Sequence, residues 1–153
     1  MRKARHVSNL EDHLGYWIRY VSNQVSHAFS LKVEARGVTV AEWVILRELY
    51  GRDSVAPSAL ADRLGMTRGA ISKLADRLQA KTLVTRTAGK ADRRYQELVL
   101  TAAGRALVPE LSDLADQNDA EFFGNLKSAD RATLERIMQE IVRRRGLRTV
   151  PID

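Results

Sequence analysis

The 153 residues predict a mostly α-helical chain with one small β-hairpin, an α+β arrangement. Three observations lead there. Apolar residues recur every three or four positions towards both ends of the chain. Two short helical segments meet around Gly65, and two runs of strand-forming residues follow at once.

The first helix is expected over 10–29, where Leu10, Leu14, Trp17, Ile18, Val21, Val25 and Phe29 form one stripe, and Arg36-Gly37 ends it. Thr39 and Glu42 then stand at capping-box spacing: the hydroxyl can accept from a backbone N–H and the carboxylate can return the bond. A second helix follows through Val44, Ile45, Leu46 and Leu49 to Gly51. Pro57 suits the first turn of a short helix over 57–64, which Gly65 stops. Met66-Thr67 lead into a further helix carrying Ile71, Leu74, Ala75 and Leu78 on one face, so the pair reads as a helix-turn-helix.

Strands are expected over 83–87 and 95–100, around a polar loop that holds Gly89, Lys90, Arg93 and Arg94. A helix-turn-helix followed directly by a hairpin with a cationic tip is a winged helix-turn-helix. Thr101 can cap a further long helix with Leu107, Leu111, Leu114 and Phe122-Phe123, bent at Pro109. Ser128 is the expected cap of the last helix, whose stripe is Leu134, Ile137, Met138, Ile141 and Val142. Arg143, Arg144 and Arg145 fall in its last turn, where cations suit the helix dipole.

Charge places the chemistry. The net charge is +6, and the 33 residues 62–94 hold nine Lys and Arg against three Asp, so this stretch carries the whole surplus. Such a patch is the footprint of a polyanion binder, because each neutralised phosphate releases counterions. Enzyme classes find little support: there is no cysteine, no phosphate-binding glycine loop, and no Ser beside a plausible His base. His13 and His27 would lie about 21 Å apart along one helix, too far to share a metal ion. No cofactor is expected. Without a signal-like or membrane-length apolar run, the expected place of action is the cytoplasm.

These elements resemble the MarR family of bacterial transcription regulators over roughly residues 8–146. The most specific piece, Asp92-Arg93-Arg94-Tyr95-Gln96-Glu97-Leu98-Val99-Leu100-Thr101, is similar to the family's wing signature Asp-x-Arg-x-x-x-Leu-x-Leu-Thr. Leu60-Ala61-Asp62-Arg63-Leu64-Gly65-Met66-Thr67 and Leu74-Ala75-Asp76-Arg77-Leu78 resemble its helix-turn-helix pattern. Thr82 departs from it, standing where the family usually has Gly, and a β-branched residue takes a left-handed cap only with strain.

The resemblance implies one domain over 1–153. Residues 38–101 would be the DNA-binding lobe, and 8–36 with 102–146 a helical dimerisation lobe. It implies a homodimer whose paired recognition helices enter successive major grooves of a palindromic operator, most simply as a repressor.

Facing Ile71, Leu74, Ala75 and Leu78 inward turns Gly69, Ser72 and Lys73 outward, while Thr67, Arg68 and Ala70 sit at the N-terminal end that reaches base edges. Arg68 and Lys73 are the expected base or phosphate contacts, with Arg77 and Arg86 completing the cationic set. In the wing, Arg94 is expected in the minor groove, Arg93 and Lys90 on phosphates, and Asp92 pairing with an Arg to stiffen the tip.

Similar proteins bind small aromatic or carboxylate effectors between their lobes. His13, Trp17 and Tyr20 on the first helix, with Trp43 and Arg47 on the second, are candidates for such a site; interface aromatics and an ordinary ion pair explain them equally simply. Two other readings compete with regulation: a winged helix used for protein contacts, or non-specific architectural DNA binding. The regulator reading fails for a monomer whose loop arginines are engaged by its own carboxylates.

Overall fold

The computed structural model describes residues 5–148, and the order of elements follows the predicted one with three local differences. The first helix does not start at Leu10. Leu10–Asp12 form a separate 3-10 turn, closed by reciprocal bonds between Asn9 and Asp12, and helix α1 runs over Leu14–Glu34. The apolar period crosses this break unchanged, because His13 is extended without disturbing the spacing around it. Ser128 is the first residue of the last helix, not its cap; Lys127 holds the cap position and no side chain bonds there. Strand β1 is displaced by one residue, to Val84–Ala88, and β2 starts one residue later than expected, at Gln96–Leu100.

The signals at Thr39, Pro57, Gly65 and Thr101 act as expected. Thr39 accepts from the Glu42 N–H at 3.2 Å while Glu42 accepts from the Thr39 N–H at 3.0 Å, and α2 runs over Val40–Leu49. Pro57 opens α3, Pro57–Leu64, and Gly65 closes it at φ +63. Thr67 caps α4, Arg68–Ala80, accepting from the Ala70 N–H at 3.1 Å. Helix α5, Ala102–Phe123, is capped by Thr101 and continues through Pro109, and α6 spans Ser128–Arg145.

The two strands pair antiparallel from Val84↔Leu100 to Ala88↔Gln96, and Val55 adds an isolated bridge to Leu98. One core joins these elements. Ile45, Leu46 and Leu49 of α2, Leu60 of α3, Ile71 and Leu78 of α4, Leu98 of β2 and Leu111 of α5 are almost wholly buried. Each such side chain contributes about 1.5–3 kcal/mol by leaving water. The backbone of α5 lies so close to the α4–β1 junction that a Cβ on Gly104 would fall 2.1 Å from the Leu83 carbonyl oxygen.

The outer helices are different. Leu14, Ile18 and Val21 of α1 and Leu134, Ile137 and Ile141 of α6 are exposed, and α6 has no buried residue at all. Their apolar stripes have the expected period, but the N-terminal half of α1 and the whole of α6 have no cover among the described residues, whereas Phe29 and Val33 of α1 pack into the core. No helix of the described residues is long and apolar enough to cross a membrane.

Candidate nucleic-acid interface

Helix α4 owes its position to its apolar face: Ile71, Leu74, Ala75 and Leu78 lie in the core, and the 3.6-residue period then exposes Arg68, Gly69, Ser72, Lys73 and Arg77. Ala70 is half-buried, and Thr67 stands exposed at the cap. The wing lies beside this helix. Gly89 turns its tip, donating to the Tyr95 carbonyl at 2.7 Å, and a Cβ there would meet the Asp92 carbonyl oxygen at 2.6 Å. Between α3, the N-terminal half of α4 and the wing runs an open cleft of about 680 Å³, lined among others by Pro57, Ser58, Arg68, Ser72, Arg86 and Tyr95.

The nine cations of the basic stretch are not equivalent. Five reach carboxylates: Arg63 meets Glu48 at 3.4 Å, Lys81 meets Glu42 at 2.7 Å, Arg86 meets Asp76 at 2.7 Å, Lys90 meets Asp53 at 3.4 Å and Arg94 meets Asp92 at 2.8 Å. Arg68, Lys73, Arg77 and Arg93 have no carboxylate partner among the described residues. Three of these four lie on α4 and one at the wing tip.

Arg86 is tied inward: its guanidinium also bonds Gln79, so β1 is pinned to the outer face of α4. Arg94 is paired and presented together. Asp92 accepts from its backbone N–H at 3.0 Å and from its guanidinium, yet the Arg94 side chain is 85% exposed. These bonds hold the Asp92 carboxyl below the usual carboxylate range and push the Arg94 guanidinium up. One loop arginine is thus engaged by the chain's own carboxylate while the other, Arg93, is free of one among the described residues.

The second constellation is less compact. The His13 ring Nδ1 lies 3.0 Å from the Asn9 carbonyl, the Trp17 indole N–H donates to the Glu11 carbonyl at 2.9 Å, and Tyr20 is exposed. Trp43 packs against the core near the start of α2, and Arg47 is exposed one turn on. About 25 Å of helix separates Trp17 from the end of α1 next to α2. The large cleft and two smaller ones beside α5 are lined by none of these five residues. Among the described residues no cluster of three or more His, Asp or Glu is suited to a metal ion.

Residues that the sequence pattern left out are Pro57, Ser58 and Tyr95, which line the cleft. A tyrosine directly following two loop arginines was the available signal.

Fold and surface together define a winged helix-turn-helix protein. A family model described as "MarR family" matches residues 36–94. The HTH-type transcriptional repressor MdtR of Bacillus subtilis is 38% identical over 72 residues, 47% of this chain and 46% of that protein. The chain spans between about half and just under two thirds of the length of the first curated relatives it matches. Among solved structures, a mutant of Escherichia coli MarR complexed with operator DNA superposes with a TM-score of 0.76 at 25% identity, covering 84% of this chain and 93% of that one. Bordetella bronchiseptica BpsR, whose DNA binding is regulated by 6-hydroxynicotinic acid, shares the fold with a TM-score of 0.78 at 23% identity, covering 89% and 97%.

Proposed function

We propose that the chain is a soluble, cytoplasmic, sequence-specific DNA-binding transcriptional regulator, a repressor, acting as a homodimer on a palindromic operator. The carrying observation is the set of unpaired cations Arg68, Lys73 and Arg77 on the exposed face of α4, flanked by Arg93 and Arg94 at the wing tip. In this reading residues 38–101 are the DNA-binding lobe, and 8–36 with 102–146 form the dimerisation lobe.

The exposed N-terminal part of α4, with Thr67, Arg68, Gly69, Ala70, Ser72 and Lys73, enters the major groove. Arg68 is the residue suited to a guanine, because its fork bonds two acceptors at once. Arg77, Lys90 and Arg93 neutralise phosphates, and Arg86 joins them on exchanging Asp76 for a phosphate oxygen. Arg94, held out by Asp92, enters the minor groove. The uncovered stripes of α1 and α6 support the homodimer, since a second copy offers the same faces in return. The similarity to a MarR structure holding operator DNA supports the partner.

The test is selection of genomic fragments by the purified protein, followed by binding to the recovered duplex and a scrambled duplex at several salt concentrations. A regulator holds the recovered duplex about a thousandfold or more over the scrambled one, and its affinity falls steeply with salt. Equal, salt-sensitive affinity for both duplexes would mean architectural binding. No affinity for either would leave the winged helix to protein contacts.

Release by a small aromatic or carboxylate effector is the accompanying proposal. His13, Trp17 and Tyr20 are exposed around the start of α1 and line no cleft with Trp43 and Arg47, so in this reading such a site draws its second wall from another copy. Trp fluorescence during titration with aromatic acids, followed alongside duplex release, tests it; no change in either signal refutes it.

A further inference from the structure

Glu42 is 1% exposed, yet it is a carboxylate, and one of its oxygens takes two bonds: from the Thr39 N–H at 3.0 Å and from the Lys81 ammonium at 2.7 Å. The same ammonium donates to the Gly37 carbonyl at 2.8 Å. Two stretches distant in sequence meet at one nitrogen: the turn that leads from α1 into the N-terminus of α2, and the residue that ends α4. The capping box accounts for one bond to Glu42 and asks nothing of Lys81. Burying a charge that a Gln could replace in the cap is costly without a partner, so the ion pair needs its own reason.

We infer that Glu42 and Lys81 form a positioning clamp for the recognition helix: Lys81 belongs to the basic stretch by sequence but sets the angle of α4 and contacts no phosphate. The inference rests on the DNA-binding reading above. Its geometry is that of a lever. Lys81 fixes the C-terminal end of a 13-residue helix, about 20 Å long, whose other end carries Arg68 and Gly69. A tilt of about 5° at the clamp moves that far end by roughly 1.5 Å, enough to spoil a bidentate contact to a base edge. Phosphate contacts by flexible Lys and Arg side chains tolerate the same displacement. The clamp therefore bears on discrimination between sequences more than on attraction to DNA. Because Gly37 lies just beyond α1, it also refers α4 to the buried end of that helix, where Val33 packs in the core.

The test uses the full-length chain and a duplex enriched by the wild-type protein from a randomised library, with a scrambled duplex of equal length. Failure of the wild type to enrich any duplex defeats the DNA-binding reading itself, before any variant is made. Given a selected duplex, Lys81→Met is expected to weaken binding to it about tenfold, change scrambled-duplex affinity less than about twofold, and leave the salt slope unaltered. Lys81→Arg, which retains a cation able to reach Glu42, is expected to recover most of the loss. Glu42→Gln keeps an oxygen for the cap, so it tests the same pair should Lys81→Met fail to fold, and the double variant should lose no more than the worse single one. A salt slope lowered by about 0.9 would make Lys81 a phosphate contact, and equal losses on both duplexes would make the pair merely structural. Unchanged affinity in the folded variants would equally overturn the clamp.

Discussion

The Thr101 hydroxyl donates to the Thr82 carbonyl at 2.7 Å while accepting from the Gly104 N–H at 3.0 Å, so one side chain ties the end of α4 to the start of α5. Thr82 sits at φ +60, a left-handed conformation that costs a β-branched residue about 1–2 kcal/mol. Thr82→Gly removes that cost and the bond from the Thr82 hydroxyl to the Lys81 carbonyl, but not the backbone carbonyl that Thr101 uses. The variant is expected to be more stable by about 0.5–1 kcal/mol, measured by chemical denaturation. A loss of stability would give the hydroxyl the larger role.

Gly104 is the reverse case. Its added Cβ would meet the Leu83 carbonyl oxygen and carbon, both backbone atoms with little freedom to retreat. Gly104→Ala is expected to cost about 2–3 kcal/mol and to lower the melting temperature. A melting temperature equal to the wild type's would show that α5 can slide away from the α4–β1 junction.

Arg94→Ala tests the wing. It is expected to weaken binding to the selected duplex by about 1–3 kcal/mol and to reduce the salt slope by about one. Unchanged affinity and slope at matched salt would remove Arg94 from the interface.

The Asp92–Arg94 pair also has a defined pH response. The Asp92 carboxyl is held down first by the Arg94 side chain and then by the Arg94 backbone N–H, so its pKa in the folded chain lies below that in the unfolded one. Its contribution is therefore complete above the unfolded value and disappears as pH falls through the lowered one. The tip is expected to keep its shape across about pH 5 to 8. Following the Asp92 carboxyl carbon by NMR checks this, and a midpoint at or above that of a free aspartate would contradict it.

Association of two copies is tested by Ile18→Glu and Ile141→Glu, which place a charge in each uncovered stripe. Analytical ultracentrifugation is expected to give a dimer for the wild type and a shift towards monomer for the variants. Sedimentation of the wild type as a single copy at high concentration would overturn the homodimer.

Most of the fold was legible because its signals are local. Thr39 with Glu42, Pro57, Gly65, Thr67 and Thr101 each act within about four residues, and a cap or a left-handed turn needs nothing more distant. The break at His13 was not legible, since a 3-10 turn followed by a helix preserves the apolar spacing of one continuous helix. The site divides similarly. The outward face of α4 follows from its period, but which cations remain free depends on partners such as Glu42 and Lys81, 39 positions apart. No spacing rule links those two residues, because the core alone brings α2 and α4 together.

The uneven placement of charge has a kinetic consequence. With the surplus confined to residues 62–94 and the remainder summing to zero, the excess positive charge sits on the stretch that forms α4 and the wing, which gives the chain a charge asymmetry. Near a polyanion, within about 10 Å at moderate ionic strength, the resulting torque turns that stretch forward before contact. In the DNA-binding reading proposed above, encounters then begin in a productive orientation, and added electrolyte slows arrival before it loosens the finished complex.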